Sequence, residues 1–310
     1  MKTRTKVLII IFFTLAFCIL MINGKVGEKA AEFITENVLK NDDETNVSSA
    51  GQALQEAYTM QEILIDDENG KIYGQAYVPV DEKKDTFPLV ILSHGLNNNF
   101  NAVSFYAYEL AKHGFAVYIF DFRGGSQNSL SEGDMLSMSV MTEVADLKLV
   151  IEQAKTWDFV DTTQIIIGGE DQGGLVSVIV ASDMPEDITG LILLYPYLSV
   201  ADELHNQLMY HELIPDTFQI RGGITLGLKY AKDVWDYDIY EHITKYTGPV
   251  LILHGDSDQV VDILYSEVAS EKFSKSEFYT IEGGEHSFTG RYFNIACDYM
   301  VKFVEKHTDT

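Results

Sequence analysis

The sequence predicts an α/β domain with a doubly wound, mainly parallel sheet. Short apolar runs with the composition of buried strands alternate with amphipathic stretches of helical period, and this alternation is typical of parallel sheets with helices on both faces. Phe87–Ser93 is one such run, almost without polar residues, as expected of a strand buried on both faces. A second observation is the segment 164–181, in which a β-branched strand passes through glycines directly into an apolar helix.

A hairpin precedes this alternation. Asn69-Gly70 stands between two strand-like stretches, 62–66 and 71–80, and Asn-Gly favours the tight turns of hairpins. The domain is therefore expected to begin near Met60. Further strands are predicted at 87–93, 115–120, 165–167, 188–194, 248–254 and 277–281, and further helices at 101–112, 143–157, 263–273 and 292–306.

Composition limits the classes of function. The 310 residues are 46% hydrophobic, which is enough for a large buried core. With 47 acids against 22 lysines and arginines the formal net charge is -25, so the surface repels nucleic acid and disfavours highly anionic substrates. We therefore expect a small-molecule substrate and no nucleic-acid partner. No H-E-x-x-H pattern occurs and no G-x-G-x-x-G follows the first strand, so we expect neither a metal nor another cofactor.

The N-terminus predicts a membrane-associated protein. A cationic stretch, Met1–Lys6, precedes an apolar run, Val7–Ile22, which is the pattern of a signal peptide or of an anchor with its basic end in the cytoplasm. Because no A-x-A-like cleavage site follows, we predict that residues 1–23 are an uncleaved signal anchor that crosses the cell membrane once. The alternative is cleavage and secretion. In both cases residues 24–58 form a polar stalk, and the globular domain, residues 59–310, lies outside the cytoplasm.

The centre of the domain is the sequence Gly169-Glu170-Asp171-Gln172-Gly173. It matches the nucleophile elbow G-x-Nuc-x-G, a tight turn from strand to helix that exposes its middle side chain. Glycines are needed there because the strand and helix backbones almost touch. The middle residue, and so the candidate catalytic nucleophile, is Asp171.

Two more candidate catalytic residues follow later strands. Asp258 comes after the strand 248–254 and His286 after the strand 277–281, in the chain order nucleophile, acid, histidine. Asp256 competes with Asp258 for the role of the acid. Because ligands of open α/β sheets bind outside the carboxyl ends of the strands, these side chains should converge with Asp171.

A fourth element completes the predicted site. His94-Gly95-Leu96 follows the strand 87–93 at the same end of the sheet. The backbone N–H groups of Leu96 and Gln172 are therefore expected to form an oxyanion hole.

A long insertion interrupts the alternation of strands and helices. Residues 196–247 stand between two strands of the sheet and are rich in tyrosine, leucine and isoleucine, so we predict a cap over the site. Tyr230, Trp235 and Tyr237 are the candidate substrate-binding residues, and Tyr210 and Tyr240 are further cap tyrosines.

From about Met60 to His307 the chain resembles the α/β-hydrolases grouped with bacterial cinnamoyl and feruloyl esterases and related acyl esterases. The matching stretches are His94-Gly95, Asp121–Gly124 with Ser126, Glu143–Leu147, Gly169–Gly174, His254–Val261 and Glu282–His286. The cap segment 226–241 is similar to inserts that line the acyl pocket in that group. The resemblance implies a catalytic triad of the elbow residue, Asp258 and His286. The chain departs from the family at the elbow, where serine is replaced by Asp171.

This aspartate leaves three hypotheses open. The first is a hydrolase of esterase ancestry that acts on a small, largely apolar ester-like substrate. The second is a hydrolase with an aspartate nucleophile, of the haloalkane dehalogenase or epoxide hydrolase type, that forms an alkyl-enzyme. Against it, Gln172 stands where both families typically have tryptophan, and Asn97 stands where the epoxide hydrolases have proline. The third is a catalytically silent binding protein. A carboxylate suits attack on a saturated carbon better than attack on an acyl carbon, since it has no proton to give up.

Overall fold

The structure, a computed structural model, describes residues 57–208 and 214–309. The predicted anchor at 1–23, nearly all of the predicted stalk and Tyr210 lie outside these residues. Within the described part of the chain, no helix is long and apolar enough to cross a membrane.

Eight of the described strands form one mixed, mostly parallel sheet. The ten strands are β1 (Tyr58–Asp67), β2 (Gly70–Pro79), β3 (Phe87–Ser93), β4 (Ala116–Phe120), β5 (Val160–Glu170), β6 (Gly190–Leu194), β7 (Thr217–Ile220), β8 (Ile224–Gly227), β9 (Val250–Gly255) and β10 (Ser276–Ile281). The order in the large sheet is β1-β2-β4-β3-β5-β6-β9-β10. The pairs β1/β2 and β2/β4 are antiparallel and all others are parallel. The mainly parallel α/β sheet predicted from the sequence is confirmed.

Helices cover both faces of this sheet. The helices of the described residues are α1 (Asn101–Lys112), α2 (Val140–Ala154), α3 (Asp171–Asp183), α4 (Val200–Leu208), α5 (Leu228–Val234), α6 (Ile239–Ile243), α7 (Ile263–Lys272) and α8 (Arg291–His307). Alternate residues of one strand enter opposite cores: Ile167 packs into the core that contains α2 and α3, and Ile166 into the core that contains α1 and α8. The continuous apolar strands of the sequence follow from this burial on both faces.

The hairpin that precedes the parallel strands has the predicted turn. β1 and β2 pair in antiparallel register from Tyr58 with Pro79 to Asp67 with Gly70. Gly70 has φ +108°, a conformation that glycine adopts without steric cost. The first strand begins at Tyr58, two residues before the expected start of the domain.

Helix α2 begins one turn earlier than the sequence pattern indicated. The structure starts it at Val140 because Ser139 caps it: the Ser139 side chain accepts from the Thr142 N–H, and the Thr142 hydroxyl accepts from the Ser139 N–H. This reciprocal pair satisfies two N–H groups that a helix start otherwise leaves unbonded. Glu143 thereby lies one turn inside the helix.

The segment between β6 and β9 contains the residues of the predicted cap. It holds α4, the two-stranded antiparallel sheet of β7 and β8, and the short helices α5 and α6. Helix α5 packs against α2, and α6 packs against α3. This segment therefore contacts the two helices that flank the elbow.

Candidate active site

The elbow is a direct passage from β5 to α3. The strand ends at Glu170 and the helix begins at Asp171, whose φ of +48° is left-handed. A Cβ on Gly169 would stand 2.5 Å from the Gly173 carbonyl carbon, and a Cβ on Gly173 would stand 2.5 Å from the His94 carbonyl oxygen. These distances leave room for glycine alone, as the sequence pattern indicated.

Strand register brings the predicted catalytic groups to one edge of the sheet. Ser93 of β3 pairs with Gly169 of β5, so the loop after β3 adjoins the elbow. Gly255 of β9 pairs with Ile281 of β10, so the loops after those two strands are also neighbours. The carboxyl ends of these parallel strands thus carry all the loops of the candidate site.

Asp171, His286 and Asp258 form a linear arrangement in these loops. His286 Nδ1 lies 2.8 Å from Asp258 Oδ2, and His286 Nε2 lies 3.6 Å from Asp171 Oδ1. The structure therefore brings together the three side chains that the sequence predicted as catalytic. Asp256 is exposed and instead accepts a hydrogen bond from the Gly283 N–H at 2.7 Å.

The side chain of Asp258 is fully buried and accepts four hydrogen bonds. Its Oδ2 accepts from His286 Nδ1 and, at 3.1 Å, from His254 Nε2. Its Oδ1 accepts from the N–H groups of Val260 at 2.7 Å and Val261 at 3.0 Å. Burial raises the pKa of this carboxyl group, but the bonds from the two histidine rings and the two amides outweigh burial and hold the pKa of Asp258 below its ordinary value. Asp258 is thus an anion that fixes the proton of His286 on Nδ1 and leaves Nε2 free to accept one.

The Leu96 N–H, predicted as an oxyanion donor, bonds to the elbow side chain itself. It donates to Asp171 Oδ2 at 3.2 Å. The loop is held by His94, whose Nδ1 bonds to the Gly95 carbonyl oxygen at 2.8 Å and whose Nε2 accepts from the Phe122 N–H at 3.1 Å. Burial lowers the pKa of His94 to about 4, so this ring is neutral and serves as a fixed support.

The Gln172 side chain points into the protein behind the elbow. Its amide nitrogen donates to Glu143 Oε2 at 2.8 Å, and its amide oxygen accepts from the hydroxyl of Tyr230 in the segment between β6 and β9. Burial raises the pKa of Glu143 well above its usual value, the Gln172 bond opposes this, and the charge of Asp171 adds to it. These contacts join α2, the elbow and α5. The role of the Gln172 backbone N–H as a second oxyanion donor stays a prediction.

The three predicted substrate-binding residues occupy different surroundings. Tyr230 is buried against the elbow, as just described. The Trp235 ring packs edge-on against the His205 ring with centroids 4.4 Å apart, and the Tyr237 ring stacks on the His242 ring at 4.5 Å. Tyr230 therefore touches a residue of the elbow, and a substrate-binding role for all three stays a prediction.

Backbone strain is concentrated around this site. Among the described residues other than glycine, four have a positive φ: Asn97 at 56°, Asp171 at 48°, Tyr195 at 37° and Ser287 at 65°. Asn97 follows the Leu96 donor, Ser287 follows His286, and the Tyr195 ring lies edge-on to the His286 ring at 4.7 Å. Such conformations are costly for most residues, and they cluster where surrounding structure holds functional groups in place.

Sequence reasoning missed two residues that shape the site. Glu170, directly before the elbow aspartate, is buried and accepts from the Tyr195 hydroxyl at 2.7 Å. His254, at the end of β9, is the second histidine on Asp258, and its Nδ1 lies 2.7 Å from the Ser266 hydroxyl. An acid in a glycine-rich turn gave a weak signal for Glu170, and His254 stood only within a stretch that matched the family as a whole.

Comparison with known proteins agrees with this architecture. A family model described as serine aminopeptidase, S33, matches residues 84–219 of 310, which include the elbow and the Leu96 loop but neither Asp258 nor His286. The structure of Est1E from Butyrivibrio proteoclasticus with bound ferulic acid is similar, with a TM-score of 0.72 at 24% identity, over 79% of this chain and 98% of that one. No curated protein that was compared matches the chain.

Two structures of lipolytic enzymes are also similar. One, from a study of the metagenome-derived lipolytic enzymes LipS and LipT, gives a TM-score of 0.61 at 17% identity, over 72% of this chain and 96% of that one. A monoacylglycerol lipase from Paleococcus ferrophilus gives 0.59 at 18% identity, over 76% and 99%. At these identities the likeness is one of fold. The chain therefore has the α/β-hydrolase fold and resembles the esterases and lipases that share it.

Proposed function

We propose that the protein is a hydrolase of esterase ancestry for a small, largely apolar ester-like substrate, and that Asp171 is its nucleophile. The observation that carries this proposal is the hydrogen bond from the Leu96 N–H to Asp171 Oδ2. In a serine esterase that donor binds the carbonyl oxygen of the substrate. Here it binds one oxygen of the nucleophile itself, and the second oxygen faces His286 Nε2.

This geometry favours attack on a saturated carbon over attack on an acyl carbon. An acyl substrate would have to displace Asp171 Oδ2 from the Leu96 N–H before its own oxyanion could be stabilised. It would also form a mixed anhydride and bring a second negative charge next to the carboxylate. Attack on an alkyl carbon has neither requirement, because the charge leaves with the departing group.

The proposed reaction has two balanced steps. In the first, Asp171 Oδ1 attacks the saturated carbon, and the bond from that carbon to the leaving group breaks with its electron pair on the leaving group, which is the carboxylate of the ester-like substrate. In the second, His286 Nε2 takes a proton from water as the water oxygen attacks Cγ of the Asp171 ester. Asp171 Oδ2 then becomes the oxyanion, already bonded to the Leu96 N–H. Collapse releases the alcohol, which takes the proton back from His286, while Asp258 stabilises the imidazolium. The Asp171 carboxylic acid that remains then gives its proton to solvent, which restores the carboxylate.

The arrangement of Asp171, His286 and Asp258 supports this second step in particular. His286 has to be neutral at Nε2 when water attacks, and two carboxylates flank its ring at 2.8 Å and 3.6 Å. Alkylation neutralises Asp171 just before the base is needed, so one of the two negative charges beside the ring is removed. A serine-type mechanism with aspartate in place of serine offers no such relief.

Isotope labelling tests the mechanism. The full chain in detergent would be assayed on short acyl esters, hydroxycinnamate esters, haloalkanes and epoxides, and then allowed a single turnover in ¹⁸O-water with excess enzyme. Because water attacks Cγ, the alkyl-enzyme route places ¹⁸O in the Asp171 side chain, which peptide mass spectrometry detects. Product formation with ¹⁸O only in the product would contradict the alkyl-enzyme.

Two variants separate the alternatives. Asp171→Asn keeps the shape of the side chain and should lower turnover by about 10⁴-fold or more, because the nucleophile is lost. Asp171→Ser restores the residue of the related esterases. If the parent is inert on every substrate and Asp171→Ser gains ester hydrolysis, the protein is a binding protein with a lost nucleophile, and the proposal is wrong.

We also propose that residues 1–23 anchor the protein in the cell membrane once, with residues 59–310 outside the cytoplasm. The support is the order of charged and apolar residues: the basic Met1–Lys6 precedes the apolar Val7–Ile22. The expected result is a full-length chain that stays in the membrane fraction after alkaline carbonate extraction and is digested by protease added outside the cytoplasm. A shortened chain released to the medium would instead establish cleavage and secretion.

A further inference from the structure

Glu170 is a buried acid that accepts hydrogen bonds from two side chains, and it lies between two parts of the site. It is the last residue of β5, directly before Asp171, and it is 4% exposed. Oε2 accepts from the Tyr195 hydroxyl at 2.7 Å, and Oε1 accepts from the Asn98 side-chain amide at 3.1 Å.

We infer that Glu170 is a positioning residue that holds both the Leu96 N–H and the His286 ring in register with Asp171. It acts on Leu96 through Asn98, and on His286 through Tyr195. This inference rests on the proposed function, in which Leu96 and His286 each serve one step of the reaction.

The contact with the Leu96 loop is short and direct. Gly95 and Asn98 lie on either side of the Leu96 donor, and the Asn98 side-chain amide bonds to Glu170. A Cβ on Gly95 would stand 2.7 Å from Asp171 Oδ2, so the loop already lies at the closest approach that glycine allows. The Asn98 N–H also bonds to the Gly95 carbonyl oxygen at 3.1 Å, which closes the loop into one tight turn. Fixing this turn through Glu170 therefore fixes the distance from the Leu96 N–H to the carboxylate.

The contact with His286 passes through the Tyr195 ring. That ring lies edge-on to the His286 ring at 4.7 Å and edge-on to the Phe288 ring at 4.9 Å, with an interplanar angle of 90° in the second pair. Tyr195 has a left-handed φ of +37°, and its N–H donates to the Leu253 carbonyl oxygen at 2.8 Å. The hydroxyl bond to Glu170 fixes the far end of the ring. The orientation of the His286 ring is thereby tied to the elbow strand as well as to Asp258.

The arrangement has an energetic cost that packing alone does not explain. Burial raises the pKa of Glu170, the Tyr195 bond lowers it, and the charge of Asp171 raises it further. An apolar residue of similar volume would avoid both the desolvation and the repulsion between adjacent acids. Costly buried acids are concentrated at functional sites, where their contacts orient other groups.

The test compares two matched tyrosine–glutamate pairs in the full chain in detergent. Glu170→Gln and Tyr195→Phe each weaken the pair at the site while keeping its shape. Glu62→Gln and Tyr73→Phe make the same changes in a pair on β1 and β2, where the hydroxyl donates to the carboxylate at 2.8 Å. The double variant of Glu170→Gln with Tyr195→Phe completes a thermodynamic cycle.

Two readouts report position and catalysis separately. The ¹⁵N and ¹H signals of the Leu96 amide and the His286 ring report position without any substrate; the Leu96 signal in leucine-labelled protein is identified by its loss in Leu96→Ile. Turnover on the best substrate of the panel reports catalysis. Glu170→Gln should shift both signals and lower kcat by about 10-fold to 100-fold, with KM changed less than about threefold, since misplacement of reacting groups acts on the chemical step. Tyr195→Phe should shift the His286 signal and lower kcat by about tenfold.

The control pair and the double variant decide whether the effect is specific to Glu170 and Tyr195. The control pair Glu62 and Tyr73 should leave both signals and kcat unchanged, and the double variant should be no worse than Glu170→Gln alone. Unshifted signals in Glu170→Gln, or a kcat within twofold of the parent, would overturn the positioning role. If the parent turns over no substrate, the proposed function fails, while the two signals still test whether Glu170 positions Leu96 and His286.

Discussion

Replacement of Asp258 by asparagine is the most direct test of the hydrogen bond between Asp258 and His286. Asp258→Asn keeps the size of the side chain but puts an NH₂ group where one carboxylate oxygen stood. If the amide oxygen keeps the bonds to Val260 and Val261, the NH₂ group faces the two ring N–H groups of His254 and His286, which are donors as well. The proton of His286 then has no acceptor at Nδ1 and moves to Nε2, the atom that has to accept a proton from water.

The expected effects on rate and stability follow from these contacts. A histidine held in the wrong tautomer cannot act as the base, and we expect kcat to fall by about 10⁴-fold. The side chain is fully buried, and two hydrogen bonds to a charged group are lost, which should lower the free energy of unfolding by about 2 to 4 kcal/mol. For a domain of this size that corresponds to a fall in Tm of roughly 5 to 15 °C.

The matched control is Asp256→Asn, two residues earlier in the same loop. Asp256 is exposed and its carboxylate bonds to the Gly283 N–H rather than to His286. Thermal unfolding followed by circular dichroism, together with turnover on the best substrate, should show a small effect for Asp256→Asn and a large one for Asp258→Asn. Equal losses in the two variants, or a kcat for Asp258→Asn within tenfold of the parent, would refute the assignment of Asp258 as the catalytic acid that pairs with His286.

The same variant predicts a pH dependence. The pKa of Asp258 is lower in the folded protein than in the unfolded chain, so its contribution to stability is complete above its unfolded pKa of about 3.9 and is lost as the pH falls below that value. The difference in unfolding free energy between the parent and Asp258→Asn should therefore be constant from pH 7 to pH 5 and shrink below about pH 4. A difference that grows on acidification would contradict this sign.

Two further substitutions test the surroundings of the elbow. Gly95→Ala places a Cβ 2.7 Å from Asp171 Oδ2, so either the carboxylate or the Leu96 loop has to move, and turnover should fall by about 100-fold; an unchanged rate would show that their spacing is unimportant. Glu143→Gln should raise the Tm above that of the parent by a few degrees at pH 8 and much less at pH 5. The pKa of buried Glu143 is raised in the folded protein, so the parent loses stability as the pH rises above the unfolded pKa of about 4.3. The glutamine of the variant does not ionise, so the variant has no such loss. A Tm advantage that is the same at both pH values would contradict this linkage.

Much of the fold followed from patterns that short stretches of sequence contain. Phe87–Ser93 forms β3 with the predicted bounds, because an apolar run of that length has few alternatives in an α/β domain. Asn101–Lys112 likewise forms α1 as predicted, and its chain reverses after Gly114. The convergence of Asp171, Asp258 and His286 followed from a rule about parallel sheets, which needs the order of elements but no coordinates.

The details of the site depended on contacts between loops that no local pattern specifies. Both Asp256 and Asp258 follow β9, and only the pairing of β9 with β10 decides which of them reaches His286. The bond from Leu96 to Asp171 depends similarly on the register of β3 against β5.

The start of α2 was missed for a related reason. Glu143 is a charged residue on the buried side of the helix, and it interrupted the apolar period that marks a helix face. Its burial is compensated by Gln172, which lies far away in the sequence. Neither the capping pair of Ser139 and Thr142 nor this compensation is visible in the hydrophobic pattern alone.

The left-handed backbone at position 171 determines which side chains can be exchanged there without a change in the turn. The value of φ is set by the passage from β5 into α3 and by Gly169 and Gly173, and not by the side chain of residue 171. Aspartate is among the residues that adopt this conformation most readily, whereas β-branched residues are outliers there. An exchange between serine and aspartate therefore alters the chemistry of the site without rebuilding the turn. A library restricted to position 171 would sample several reaction types on one unchanged backbone.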